Sequence, residues 1–394
     1  METSQQDLDE ILSESLADTN QRGTQQWAIR DGDQMVLYGA GGLGATALAG
    51  LRRVGVEPVA WADDTPEKLG RVIQGLPVMT PSMAVERFGE HLVFVVTIMN
   101  PKLRFLDARQ RLKKLTDRPV LSFLQLAWQY PETFLPYYQF ELPQQLLAKA
   151  TDIHRALPLW ADEESQRQFI AHLRFRLHLD YEALPPNPGQ GYLPEALFPI
   201  LPEDTVFIDC GAYDGDTVRQ FVEHQQGRFG KIYAFEPDEI NCRRLEQYVA
   251  GLGNKSSSKV EVYNAAVGDS RGKIGFNATG DMSASFTDAG AVQVDVLRLD
   301  EIVKVDGAPV FLKLDVEGAE LVALKGAKEL IRRARPLVAL SVYHRPDDLW
   351  QLPLYLDALN PGYRFFLRTQ GEDGMDVICY AVPPGFPLSE TRSR

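Results

Sequence analysis

Short unbroken apolar runs, each followed by a glycine turn or by a stretch with helical spacing, form two separate series along this chain. Residues 1–30 precede both and are polar, although Leu8, Ile11, Leu12 and Leu16 share a helical face that could dock a short helix. The first series opens at Met35. MVLYGAGGLG reads as a buried strand entering a glycine turn, TALAGLRRVG as a helix, PVAWADD as a second strand and HLVFVVTI as a third. Runs without polar alternation are those of strands covered on both faces, and β-α-β alternation argues for a parallel, doubly wound sheet. PVLSFLQLA, near 119–127, reads as one more strand, so a Rossmann-like domain is expected over 31–142.

Residues 143–200 change character. LPQQLLAKATDIHRAL and ADEESQRQFIAHLRFRLHLDY carry apolar residues at three- and four-residue spacing, with Asp162 placed to cap the second helix. LPPNPGQGYLPEALFP, at 184–199, is rich in proline and glycine and reads as a linker or surface loop. A helical connector is expected here. The second series then occupies 201–387. TVFIDCGAYDGD, KIYAFEPD, KVEVYNAAVGD, PVFLKLDVEGAE and PLVALSVYH read as five strands with intervening helices. VQVDVLRLDEIV adds an edge or connecting element, and YRFFLRTQ with DVICYAVP reads as a closing β-hairpin before a tail at 388–394. The fold class is α/β, with two Rossmann-like doubly wound sheets.

Composition narrows the function. Lys and Arg number 41 against 54 Asp and Glu, a formal charge of −13, which argues against sequence-independent binding of nucleic acid or of anionic lipid. The three cysteines, Cys210, Cys242 and Cys379, form no close pair and no metal-ligand spacing, as expected in a reducing compartment. The N-terminus lacks a signal-peptide pattern, and no run reaches the roughly 20 apolar residues of a membrane span. A cytoplasmic location is expected. The sequence leaves the oligomeric state open, a homo-oligomer included.

Five segments at strand ends carry candidate chemistry, because ligands of open parallel sheets sit at the carboxyl ends of the strands. Asp209 ends the first strand of the second series, facing the cleft, and is followed by Gly211, Asp214 and Gly215. Gly211 is expected to let the backbone turn tightly and to open space for a ligand. A turn crowded with Asp209, Asp214 and Asp216 would repel a pyrophosphate but suits the sulfonium and α-amino group of S-adenosylmethionine. Glu236, followed by Pro237, closes the next strand, where a carboxylate can accept both ribose hydroxyls; it serves equally well as a charge at a helix N-terminus. Small residues around Ala266, in NAAVGD, leave room for a planar ring such as adenine, or form a plain turn.

The fourth segment, KLDVEGAE, places Asp315, Glu317 and Glu320 at a strand end. Asp315 could orient a substrate hydroxyl, take its proton, or hold a metal with Glu317, although no metal is assigned from the sequence; Glu320 fits helix capping. In the fifth, SVYHRPDDLW, His344 follows the last parallel strand and is a candidate proton acceptor near neutral pH. Asp315 and His344 are thus the expected catalytic pair. Tyr213, Tyr343 and Trp350 are expected to wall the pocket, and GDMSASFTDAG, at 280–290, to form a flexible lid.

Taken together, FIDCGAYDGD, AFEP, AAVGD, LKLDVEGAE and LSVYHRPDDLW resemble the FkbM family of methyltransferases over roughly residues 203–383, with DVEGAE the most specific part. The first turn departs from the family's DVGANxG pattern: Cys210 stands in place of Val, and Tyr213-Asp214 around the Asn position. The resemblance implies a class I methyltransferase fold with a terminal hairpin, S-adenosylmethionine as donor, and O-methylation of hydroxyls, often on sugars. It further implies that Asp209, Gly211, Glu236 and Asp315 are donor or active-site residues. The His-containing tail is similar to a subgroup associated with polysaccharide biosynthesis.

The N-terminal series carries Gly39, Gly41 and Gly44 in a G-x-G-x-x-G turn between strand and helix, with Asp63 ending the next strand. A nucleotide or nucleotide sugar, a dinucleotide, or no ligand at all are the three uses this turn allows. Three rival functions follow: an NAD-dependent oxidoreductase working from this turn, a non-catalytic nucleotide sensor, and a methyltransferase acting on nitrogen, carbon or protein.

Overall fold

The computed structural model describes residues 2–13, 29, 32–100, 104–185, 191–194, 197–277, 285–286, 292–359 and 362–388. The expected lid lies outside them apart from Ser285 and Phe286, as do most of the polar N-terminal segment and nearly all of the C-terminal tail. Among the described residues no helix is long and apolar enough to cross a membrane.

The chain forms two compact units. The first comprises Met1–His154, Arg167–Asn187 and Gly371–Asp376. Its sheet uses β1 (Gln34–Tyr38), β2 (Ala60–Ala62), β3 (Val72–Ile73), β4 (Leu76–Met79), β5 (Leu92–Val96) and β6 (Val120–Ser122) in the order β3-β4-β2-β1-β5-β6. All pairs are parallel except the β3–β4 hairpin. Every residue of β5 is buried, as its uninterrupted run LVFVV requires of a strand covered on both faces. The run expected as a strand over 119–127 splits. Only Val120–Ser122 pairs, because Ser122 and Gln125 form a reciprocal capping box that starts the helix Phe123–Gln129. The N-terminal helix Glu2–Ser13 buries Leu8 and Ile11, two of the residues on its expected docking face.

The second unit comprises Arg155–Gln166, Pro188–Gln370 and Val377–Arg394. Its main sheet contains β7 (Val206–Cys210), β8 (Lys231–Phe235), β9 (Val260–Tyr263), β14 (Val310–Leu314), β15 (Leu337–Ser341), β16 (Arg364–Thr369) and β17 (Val377–Val382). The order is β16-β17-β15-β14-β7-β8-β9. The first five of these in the chain are parallel, and β17 runs antiparallel to both β15 and β16, which gives the expected closing hairpin. Between β9 and β14 the chain builds a small second sheet from β10 (Ala266–Val267), β11 (Gly272–Asn277), β12 (Ser285–Phe286) and β13 (Val292–Leu297).

The helices of 143–200 are divided between the units. Within the second, Arg368 pairs with Asp162 at 2.6 Å and the Leu367 amide donates to Ser165. Within the first, Arg176 donates to Gln139, and Gln139 in turn donates to the carbonyl of Gly374. The Phe105 amide donates to Asp373 at 2.7 Å, which ties the connection between β16 and β17 into the first unit.

Candidate active site

In the main sheet of the second unit, β7 pairs with β14 on one side and β8 on the other, so the chain reverses its direction of winding there. The carboxyl ends of β15, β14, β7 and β8 lie side by side at that switch point, where an open α/β sheet leaves its crevice. They deliver His344, Asp315, Asp209 and Glu236 to one rim.

The backbone of the rim is closely fitted. The amides of Gly211 and Ala212 both donate to the carbonyl of Phe235, and the amide of Asp315 donates to that of Cys210. Gly211 has φ +82°, and a Cβ there would lie 1.8 Å from the carbonyl oxygen of Asp315. Glycine is therefore imposed by the approach of the β14 turn rather than by a ligand. Gly215, at φ +89°, packs against Leu245 and starts the helix Asp216–His224. Asp214 is half-buried in the same turn.

Asp209 does not face the cleft, contrary to the expectation from its strand-end position. Its side chain is fully buried and pairs at 3.0 Å with Lys313, itself sealed, whose ammonium also donates to the carbonyl of Gly211 at 2.6 Å. Burial pushes the Asp209 carboxyl up to about 6 against the opposing pull of Lys313. Burial also works against the charge of Lys313, but Asp209, Asp315 and Asp216 hold its pKa above the usual lysine value. The pair braces the two turns from beneath.

Glu236 sits at the expected strand end. One carboxylate oxygen accepts the amide of Tyr213 and the other that of Asp238, each at 2.8 Å, and burial pushes the group up to about 7. Each oxygen keeps a second acceptor direction. Pro237 is half-buried beside it, and Asn264 donates to the carbonyls of both Glu236 and Pro237. Ala266 departs from its expected place: the chain breaks at Asn264-Ala265, and Ala266 enters the small sheet, where it is buried with Val294. The break, rather than Ala266, borders the rim.

On the other side of β7, Asp315 accepts the hydroxyl of Tyr192 at 2.7 Å through one oxygen, while its other oxygen has no hydrogen-bond partner. Tyr192 also lies 3.2 Å from the hydroxyl of Ser341, and the Lys313 ammonium sits 5.1 Å from its ring centroid. His344 is sealed, with 2% of its side chain exposed. Its Nδ1 donates to Glu320 at 2.7 Å, and its Nε2 lies 3.4 Å from Asp315 and 3.8 Å from Glu317. Burial opposes a charge on this ring, yet Glu320, Asp315 and Glu317 together raise its pKa to about 10. These carboxylates favour the charged ring, which works against His344 as the acceptor of a substrate proton. Asp315 and Glu317 are the open carboxylates, with 24% and 35% of their side chains exposed. Burial pushes Glu317 up to about 7, against the pull of His344. Of the expected aromatic walls, Tyr343 and Trp350 are buried and Tyr213 is half-buried.

Residues 209–371 match the family model described as the methyltransferase FkbM domain. Its boundaries enclose the rim carboxylates of β7, β8 and β14 and the buried His344. The fold of the chain is also that of the crystal structure of the methyltransferase FkbM from Methylobacillus flagellatus KT, with a TM-score of 0.74 and 23% identity over 89% of this chain and 90% of that one. An rRNA methylase of Streptococcus thermophilus aligns over 46% of this chain and 88% of its own, at 13% identity and a TM-score of 0.30. No curated protein matches the chain.

Outside the matched residues, the glycine turn of the first unit forms as expected between β1 and the helix Gly42–Arg53. Gly39, at φ +113°, meets Ile98, a Cβ on Gly44 would lie 2.2 Å from the carbonyl of Gly39, and Gly41 is exposed. Asp63, however, is committed internally. It accepts the amides of Ala40 and Thr65 and pairs with Lys68, each at 2.9 Å. Burial works against its charge, but these partners draw its pKa down to about 2. The strand-end carboxylate of this unit thus braces the glycine turn.

Proposed function

We propose that the FkbM domain transfers a methyl group from S-adenosylmethionine to a hydroxyl, with a sugar or polysaccharide precursor as the acceptor class. The single observation that carries this reading is the pair of open carboxylates, Asp315 and Glu317, beside the strand-end acid Glu236 on one rim. The chain's own residues fit the donor. Glu236 has two acceptor directions left for ribose hydroxyls, and the carboxylates of the rim outnumber its one buried ammonium, which favours a cationic ligand. S-adenosylmethionine supplies an electrophilic methyl group on a positively charged sulfur.

Asp315 accepts Tyr192 through one oxygen, whose second acceptor direction orients the acceptor hydroxyl. Glu317 makes no hydrogen bond among the described residues and is the more open of the two, so it receives the hydroxyl proton as the oxygen–methyl bond forms. Such proton transfer contributes about 10²–10⁴-fold. Glu317→Gln tests the assignment: S-adenosylhomocysteine affinity should be unchanged while turnover on a hydroxylated acceptor falls by about 100-fold or more. Full turnover in that variant would remove Glu317 from the reaction, and methylation of amines alone across an acceptor panel would remove O-transfer.

A further inference from the structure

Beside the open carboxylates of the rim stands one exposed cation that none of them takes. Asp315 accepts the hydroxyl of Tyr192, Glu320 accepts the Val316 amide and the ring of His344, and Asp348 accepts the backbone amide of Arg345 at 2.8 Å. The guanidinium of Arg345 is left over. Its side chain is exposed and makes no hydrogen bond or ion pair among the described residues, with Glu317 or with any other acid. Opposite charges so close would pair if the backbone let them, so the turn itself holds the fork away from these carboxylates.

Two features fix its place. The carbonyl of Arg345 accepts the amide of Asp348 at 3.2 Å, so buried Asp348 clamps the backbone of Arg345 on both sides as the helix Asp348–Leu359 begins. The side chain then lies along the turn that carries Glu317. A Cβ on Gly318, at φ +92°, would meet the Arg345 Nε at 3.1 Å, its Cγ at 3.5 Å and its Cδ at 3.9 Å. Gly318 therefore leaves the room through which the arginine crosses the turn. A guanidinium held next to the residue assigned to the hydroxyl proton is placed to bind a second group on the same acceptor. Its planar fork matches the paired oxygens of a carboxylate or a phosphate. The open acids Asp315 and Glu317 repel an anionic acceptor, and Lys313, sealed against Asp209, presents no charge at the surface to offset them. A neutral sugar calls for no such cation.

We propose that the acceptor is an anionic sugar, bearing a carboxylate or a phosphate, and that Arg345 receives that group while Asp315 and Glu317 engage the hydroxyl. This specificity rests on the hydroxyl-transfer reading above. The full-length protein is given several hexoses, each as its neutral methyl glycoside, its uronate and its 1-phosphate. Affinity is read by saturation-transfer nuclear magnetic resonance, and methylation is read separately with S-adenosylmethionine. The wild type should hold an anionic form about tenfold or more tightly than its neutral counterpart, and whether the uronate or the phosphate gains identifies the group. Arg345→Gln should abolish that preference, and Arg345→Lys, which keeps the charge without the fork, should retain part of it. Equal affinity of the wild type for charged and neutral forms, or a preference that survives in Arg345→Gln, would overturn the assignment. Anionic sugars bound through Arg345 but left unmethylated would refute hydroxyl transfer while leaving the anion site in place. Neutral sugars methylated in preference to anionic ones would do the reverse.

Discussion

Replacing Lys313 with methionine probes the brace beneath the rim. The ammonium lies 3.0 Å from Asp209 and donates to Gly211 at 2.6 Å, and both charged side chains are sealed from water. Methionine keeps much of the volume but leaves Asp209 as a buried carboxylate without its counter-charge. Breaking one partner of such a pair costs about 3–5 kcal/mol. The loss should depend on pH. Burial already holds Asp209 up to about 6 with Lys313 in place, and removing the lysine raises it further, so protonation relieves the variant as pH falls. The deficit is therefore largest near pH 8 and shrinks toward pH 5. Asp209→Asn combined with Lys313→Met should recover part of the loss, with a coupling of about 1–3 kcal/mol. Chemical denaturation at both pH values gives the magnitude, and hydrogen exchange in β7 and β14 locates it. A Lys313→Met protein within about 1 kcal/mol of wild type at pH 8, a threshold well below the expected range, would refute the brace.

Two further outcomes follow from the same geometry. Asp63 should stabilise the glycine turn by about 2 kcal/mol, from a folded pKa near 2 against an unfolded value of 3.8. That contribution is full above the unfolded value and disappears as pH falls through the folded value near 2, so Asp63→Asn should be less stable than wild type at pH 7 and approach it only near pH 2; a constant difference in denaturation midpoint would contradict the assignment. Tyr192→Phe removes the hydroxyl that fixes Asp315 while leaving the ring beside Lys313. Turnover should fall several-fold with the melting temperature close to wild type, and unchanged kcat would exclude a positioning role.

Much of this architecture is legible in the order of residues. Strands buried on both faces are written as uninterrupted apolar runs, so β1, β5, β7, β8, β14 and β15 stand out, and the acids that end β7, β8 and β14 mark the rim. Less legible is what local chemistry overrides. Ser122 and Gln125 turn an apolar run into a helix start, and Asn264 breaks β9 from β10 by bonding back to the β8 turn. The direction in which a strand-end acid points is not encoded nearby either. Asp209 turns inward because Lys313, a hundred residues away, awaits it; the signal is a lone lysine in the apolar run VFLKL. Tyr192 is hidden in a segment that reads as a surface loop, although the burial of Leu193, Leu197 and Phe198 shows that its apolar density points inward. Glu320, which reads as a helix cap, instead reaches the ring of His344.

Calorimetric titration of the full chain with S-adenosylhomocysteine, beside Glu236→Ala, bears most directly on the rim as a methyl-donor site. One molecule should bind per wild-type chain. Affinity should be lowered at least tenfold in the variant, equivalent to about 1.4 kcal/mol for the missing hydrogen bonds to the ribose hydroxyls. No saturable heat with the wild type, or equal affinity in the two proteins, would contradict it.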